Sequence, residues 1–285
     1  MLRLTGTIKH IIIINFLVWI ATLSFGSYGE PFNSLFALHF PFSKDFEFWQ
    51  LLTHMFMHAS YVPDGLNGFK IYFPHILGNM FMLWMFGSAV EQSLGKRRFL
   101  FFYLSAGLGA AIITLGFDFF KYFSILSNLT VDLDLNVIKQ ILSIDASNGN
   151  GYIVSDIFLE KLRPIVEANG IQLTGQDFRT LFELNASGLG FKSMLGASGA
   201  MTGVLVAFGM MFPESRLMLI FLPVPIKAKY FIPAIIGLDL FSAITGVSIF
   251  SPSNTAYIAH LGGAFCGFIM MWYWKKNQFN QNRWN

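Results

Sequence analysis

Charge is what this chain has least of. Asp, Glu, Lys and Arg together make up 12% of the 285 residues, and the 19 basic against 16 acidic side chains leave a net charge of only +3. Those charges sit in short clusters beside apolar runs, with no basic face for a phosphate backbone, so nucleic acid is excluded as a partner. Cysteine is nearly absent as well. The single Cys266 rules out an internal disulfide framework and, lying in an apolar run, reads as a small packing residue. What fills the space is apolar: 54% of residues are hydrophobic and 33 are phenylalanine, a balance that points to a polytopic membrane protein.

The apolar residues fall into six runs. Ile11 to Phe25 is preceded by Arg3 and Lys9 and is expected to be an uncleaved first span, because no Ala-x-Ala site follows it. Pro74 to Val90, Phe99 to Phe117, Met194 to Phe212, Ile226 to Thr245 and Ala256 to Trp274 are each long enough to cross a bilayer with some tilt. The expected fold is an all-α polytopic membrane protein with a six-transmembrane-helix bundle. Residues 1–117 hold spans one to three with a long first connection, 118–193 an insertion, and 194–285 spans four to six.

Two stretches between the spans have character of their own. Gly26 to Pro74 is rich in aromatics mixed with charges, and its segment Phe46 to His58 reads as short interfacial helices. Tyr61 to Phe73, with Pro63-Asp64-Gly65 and Asn67-Gly68, reads as loop. Asp118 to Ser193 carries most of the acidic residues. Its amphipathic pieces near Val131 to Leu142, Asp156 to Ala168 and Gln176 to Leu184 predict a small water-exposed helical module. Those pieces have too little apolar surface for a large core of their own, so the module should lean on the face of the bundle. Asp145 to Ile153 briefly resembles a calcium loop. The register that fits Asn148, Asn150, Gly151 and Ile153 puts Ala146 first and Ile157 last, which excludes a calcium ligand set.

Arg3 and Lys9, Lys96 to Arg98, Arg216 with Lys227 and Lys229, and Lys275 with Lys276 and Arg283 all fall on one side of a six-span chain. By the positive-inside rule that side is cytoplasmic, both termini included, and the membrane expected is a bacterial inner membrane. Spans two, four and six then run inward from the outer surface. That places His75 and Asn79 early in span two, Ser198 early in span four and His260 early in span six, at a similar depth.

Polar groups at one level inside a bilayer mark a functional site by default. Ser198 stands between glycines in Gly196-Ala197-Ser198-Gly199, where backbone and substrate can both approach the hydroxyl. Small residues at such spacing also pack membrane helices, and that reading competes until the histidines are counted. Ser198 as nucleophile needs a base, which His260 supplies, while Asn79 and His75 can donate to an oxyanion. Asp239 is the carboxylate inside span five. Its place near the outer end suits a cap or a loop anchor better than a third catalytic member. His54 and His58, four apart, lack the Glu of a metalloprotease helix and are read as hydrogen-bonding within the first connection, with no metal.

These residues carry a resemblance. The chain from Trp49 to Trp274 is similar to the rhomboid intramembrane serine proteases of bacterial type, through His75-x-x-x-Asn79, Gly196-Ala197-Ser198-Gly199 and Ala259-His260-Leu261-Gly262-Gly263. The resemblance implies a Ser198-His260 dyad, and Asn79, His75 and the Gly196 to Ser198 backbone around the oxyanion. It implies Gly199, Gly263 and Gly267 as packing residues between spans four and six, and a structural role for Glu91. Its substrates would be single-span or other membrane-anchored proteins cut in or near the transmembrane segment, with the lipid bilayer as setting and no cofactor. A catalytically silent rhomboid-like binder is the alternative, but it would be expected to lack the serine or the histidine. Three departures stand out: Gln50 where the family carries Arg after Trp49, Thr202 where many members carry an aromatic against the histidine, and the insertion.

Overall fold

The computed structural model describes residues 4–64, 68–148, 152–219, 222–247 and 256–277. The apolar runs are helices. Gly6–Ser24 forms α1, and Glu30–Phe36 and Gln50–Thr53 form the short α2 and α3 of the first connection. Span two is a continuous helical stretch built of α4 (Pro74–Met82), a π turn at Leu83–Gly87 and α5 (Ser88–Leu94). Lys96–Leu126 is α6, and α7 (Leu135–Leu142), α8 (Ser155–Ala168) and α9 (Gly175–Ala186) belong to the insertion. The last three helices are α10 (Ser198–Met211), α11 (Ala228–Thr245) and α12 (Ala256–Asn277). Of these, α1, α6 and α11 are long and apolar enough to cross a membrane; α10 is apolar but only 14 residues long.

The helices also run past the expected limits, α6 to Leu126 against Phe117, and at two further places backbone pairing outcompetes a simple rule. Tyr61 to Phe73, expected as loop, holds a hairpin of β2 (Tyr61–Pro63) and β3 (Phe69–Ile71), the turn residues serving to join two strands. The helix expected from Met194 begins only at Ser198. Ser193–Met194 is instead strand β4, antiparallel to β1 (Leu38–His39) with Leu38 opposite Met194, and Gly196 at φ +120° turns the chain into the helix. A second hairpin, β5 (Arg216–Leu219) with β6 (Leu222–Lys227), joins α10 to α11.

One apolar core runs through the bundle, from Ile8 and Trp19 through Leu83, Phe99 and Tyr103 to Met201, Val204 and Met271. Its centre is the contact of α6, α10 and α12, where small residues let backbones touch. A Cβ on Gly203 would stand 2.7 Å from Ala106 Cβ and 2.9 Å from the Gly263 carbonyl oxygen, and Gly109 lies against Cys266. At the basic end of the bundle, Glu91 accepts from Thr5 Oγ and from the Thr7 and Ile8 amides, so a carboxylate caps the free N–H groups of α1 and ties it to α5.

The insertion both builds a core and leans on the bundle. Val137, Ile141, Ile144, Phe158, Leu162 and Leu181 cluster among its own helices. A second cluster joins Ile138, Leu142, Leu184 and Leu189 to Tyr122 and Ile125 of α6 and to Phe40 of the first connection. Its stem is closed by Asp177, fully buried, which accepts from Thr130 N and Oγ and from Thr174 N and Oγ in a capping box at the start of α9. Those donors, the Thr174 hydroxyl first, hold its carboxyl well below the usual carboxylate range. In the calcium-loop-like stretch residues 149–151 lie outside the described residues, and Ser147 bridges Ile153 across it.

Candidate active site

The site lies where α4, α10 and α12 begin, at the end of the bundle that carries the first connection and the insertion. Ser198 opens α10, so its own amide is among the N–H groups that a helix leaves unpaired at its start. Ser198 is half-buried. Gly196, two residues before it, sets where things stand: a Cβ there would lie 3.0 Å from His75 Nε2 and 3.8 Å from Ser198 Oγ, so the histidine tip and the serine converge on one spot. The glycine is required both by its positive φ and by this crowding.

The Gly196 amide itself corrects the sequence reading, which grouped Gly196 with the oxyanion donors. Its N–H donates to the His54 carbonyl at 2.9 Å, anchoring the turn to the first connection. The other expected donors are His75, Asn79 and the Ser198 amide. His75 Nδ1 accepts from the Ala59 amide at 3.0 Å, so a neutral ring carries its proton on Nε2, the nitrogen beside Gly196. Asn79, one turn further along α4 and 7% exposed, donates one amide hydrogen to the His75 carbonyl at 2.9 Å and keeps the other.

His260 approaches from α12. The helix is drawn onto α10 by glycines: a Cβ on Gly199 would lie 2.6 Å from Ala110 Cβ and 3.4 Å from the Ala259 oxygen, one on Gly267 would lie 2.7 Å from Gly203 Cα, and one on Gly263 would run into the Gly199 carbonyl. Thr202, the residue standing where an aromatic was expected, donates to both the Gly199 and the His260 carbonyls, at 2.8 and 2.9 Å. It ties the backbone of α12 to α10 and leaves the imidazole to another partner.

That partner is Asp239, and here the sequence reading is corrected a second time. Asp239 is not a cap or a loop anchor: from α11 its Oδ2 lies 3.1 Å from His260 Nδ1, with both side chains largely buried. The signal was present. Counting about 1.5 Å per residue, Asp239 is roughly 9 Å from the end of α11 and His260 roughly 6 Å from the start of α12, so the two lie at a similar depth. Among the described residues Ser198 and His260 share no hydrogen bond, a looseness usual before substrate binds.

The histidines of the first connection hold structure. His54 donates from Nδ1 to the Gln50 carbonyl, and burial pulls it down to about 4. His58 Nε2 donates to Asn15 Oδ1 of α1, and its ring meets that of His75 edge to face at 5.1 Å. Gln50, buried in place of an arginine, donates to the Ser34 and Asp45 carbonyls and accepts from the His39 amide. Among the described residues no group of three His, Cys, Asp or Glu side chains could hold a metal ion.

Comparison with known proteins identifies the family. The family model of the Rhomboid domain matches residues 45–127 and 169–277, leaving out much of the insertion. Among curated proteins, the presenilin-associated rhomboid-like protein, mitochondrial, of Homo sapiens and that of Mus musculus are each 28% identical over 200 residues, 70% of this chain and 33% of the relative. The Rattus norvegicus protein of the same name is 27% identical over the same span. The chain therefore spans about a third of the length of these relatives. No solved structure matches. With more than half of its residues in the family match and the bundle built around them, this integral membrane protein belongs to the rhomboid family.

Proposed function

We propose that the chain is an intramembrane serine protease that cuts membrane-anchored proteins in or beside their transmembrane segment, with Ser198 as nucleophile and His260 as base. The observation that carries this is the convergence of His75 Nε2 and Ser198 Oγ at Gly196, on a helix that glycines press against the one bearing His260. In the first step His260 Nε2 takes the Ser198 proton as Oγ attacks the scissile carbonyl. The oxygen that becomes negative meets the Ser198 amide, His75 Nε2–H and the free Asn79 N–H, donors fixed before the substrate arrives. His260 then protonates the leaving amine, and water releases the acyl group by the same route in reverse.

The polarity of the bundle supports a sidedness. The start of α1, Lys96 and the Lys227-Glu214-Lys229 cluster share one end, and the site shares the other with the insertion. By the positive-inside rule the basic end faces the cytoplasm, or its equivalent, in a six-span chain with substrates entering from the far side.

The test is cleavage of a single-span model substrate in proteoliposomes by the wild type, Ser198→Ala and His260→Ala, with a fluorophosphonate probe alongside. Cleavage and Ser198 labelling in the wild type, lost in both folded variants, is the expected result. Binding of the substrate without cleavage by the wild type would establish the silent binder instead.

A further inference from the structure

We propose that Asp239 is a positioning residue for His260, so that the reacting unit is a Ser198-His260-Asp239 triad rather than a dyad; the proposal rests on the serine-protease reading above. Asp239 Oδ2 stands 3.1 Å from His260 Nδ1, and the two side chains are 12% and 19% exposed. A carboxylate only accepts hydrogen bonds, so it fixes the proton of a neutral imidazole on Nδ1. Nε2 is then the bare nitrogen, the one that must take the proton from Ser198. Without an acceptor at Nδ1 the ring is free to adopt the other tautomer, which cannot act as base.

Three further observations favour this role over simple helix packing. Among the described residues, His260 is the only hydrogen-bond partner of Asp239, so a carboxylate kept within an apolar helix is directed at the ring alone. Thr202 reaches the His260 carbonyl and not its ring, so nothing else described orients the imidazole. The charge environment also fits. Among the described residues the ionisable groups facing His260 are Asp239 from α11 and His75 from α4. The α10 helix carries no charged residue, and α6 carries no ionisable side chain between Leu104 and Phe117. When His260 becomes an imidazolium during acylation, Asp239 is thus its one counter-charge among the described residues. The proton moves only from Ser198 Oγ to His260 Nε2 and on to the leaving nitrogen.

Asp239→Asn separates this role from packing, because the amide keeps the volume and a hydrogen bond yet removes the charge and accepts either tautomer. The full chain in proteoliposomes, with a single-span substrate, should show kcat lowered roughly tenfold to a hundredfold and KM changed by less than about twofold. The unfolding midpoint should be unchanged and fluorophosphonate labelling of Ser198 slowed in step with kcat. Wild-type kcat in Asp239→Asn overturns the proposal, as does a loss that comes only with a raised KM and a lowered midpoint. If Asp239→Asn does not fold, Asp239→Glu decides. Retention of kcat within about fivefold supports a carboxylate role, and a folded Glu variant as silent as Ser198→Ala overturns it. Ser198→Ala is run in parallel: if it cuts as fast as the wild type, the protease reading itself has failed. If it is silent while Asp239→Asn is fully active, only Asp239 has been misassigned.

Discussion

Gly263→Ala is the sharpest test of how the bundle sets the site, since it adds one methyl group and no chemistry. In the structure that methyl would run into the Gly199 carbonyl and lie 3.0 Å from Thr202 Oγ, and both neighbours are fixed, one as backbone and the other by two hydrogen bonds. Neither can rotate away, so α12 must move off α10. Overpacking of this kind costs about 1–3 kcal/mol, and a displacement of order 1 Å between reacting groups costs about a hundredfold in rate. Gly116→Ala is the control: it sits on exposed α6 with nothing within 4 Å of the added carbon, and alanine is the better helix former by up to about 1 kcal/mol. Thermal unfolding in detergent should therefore show Gly263→Ala lowered and Gly116→Ala unchanged or raised, with cleavage lost only in the former. A Gly263→Ala protein of wild-type midpoint and rate would refute the argument that glycine contact fixes the distance from Ser198 to His260.

Asn79→Ala should lower kcat by a factor of about 10² to 10³, as one oxyanion donor is worth ~2.7–4 kcal/mol, while leaving the midpoint near that of the wild type; an unchanged kcat removes Asn79 from the site. Gln50→Leu should destabilise by about 1–3 kcal/mol, because it strands the buried His39 amide and removes the bonds to the part-buried Ser34 and Asp45 carbonyls; an unchanged unfolding midpoint would show that these bonds are dispensable. His54, with a folded value of about 4 against an ordinary 6.5, resists protonation only while buried, so its contribution to stability is complete above pH 6.5 and lost as pH falls from there toward 4. Midpoints measured across that window should fall more steeply in the wild type than in His54→Leu, and equal slopes would contradict the assignment.

Much of the site was legible because a bilayer penalises polarity. His75, Asn79, Ser198 and His260 each interrupt an apolar run near the same end, and depth grouped them before any coordinates. Asp239 obeys the same rule, but a carboxylate near the outer end of a span suits a cap as well as a partner for His260, and its position in the sequence does not separate the two. Thr202 and Gln50 could be seen as departures, but their compensations could not. A threonine hydroxyl bonding a carbonyl 58 residues away, or a glutamine joining three segments of one connection, depends on backbone paths that no local pattern encodes. The Gly196 amide is the same case: the motif marks the glycine, whereas the partner of its N–H is set by where the first connection returns. The hairpin of β2 and β3 was hidden by its own turn residues, since short strands among Pro, Asp, Asn and Gly carry almost no period-2 signal.

The length of α6 explains how an insertion can sit beside this site without displacing it. At 31 residues and 1.5 Å per residue the helix is roughly 46 Å long, against a hydrocarbon core of about 30 Å. One part of it meets α10 and α12 through Ala106, Gly109 and Ala110, where the glycine contacts are made. The surplus length carries Phe119, Tyr122 and Ile125 beyond those contacts, and it is these that hold Phe40 and Phe42 of the first connection together with Ile138, Leu142 and Leu184 of the insertion. Ser43 Oγ donating to the Gly190 carbonyl and the pairing of β1 with β4 then fasten the end of the insertion just before Gly196. Thr130 and Thr174 both bond Asp177, so the chain leaves toward α7 and α8 and returns at one point. The family match breaks at 127 and resumes at 169, close to that point on both sides.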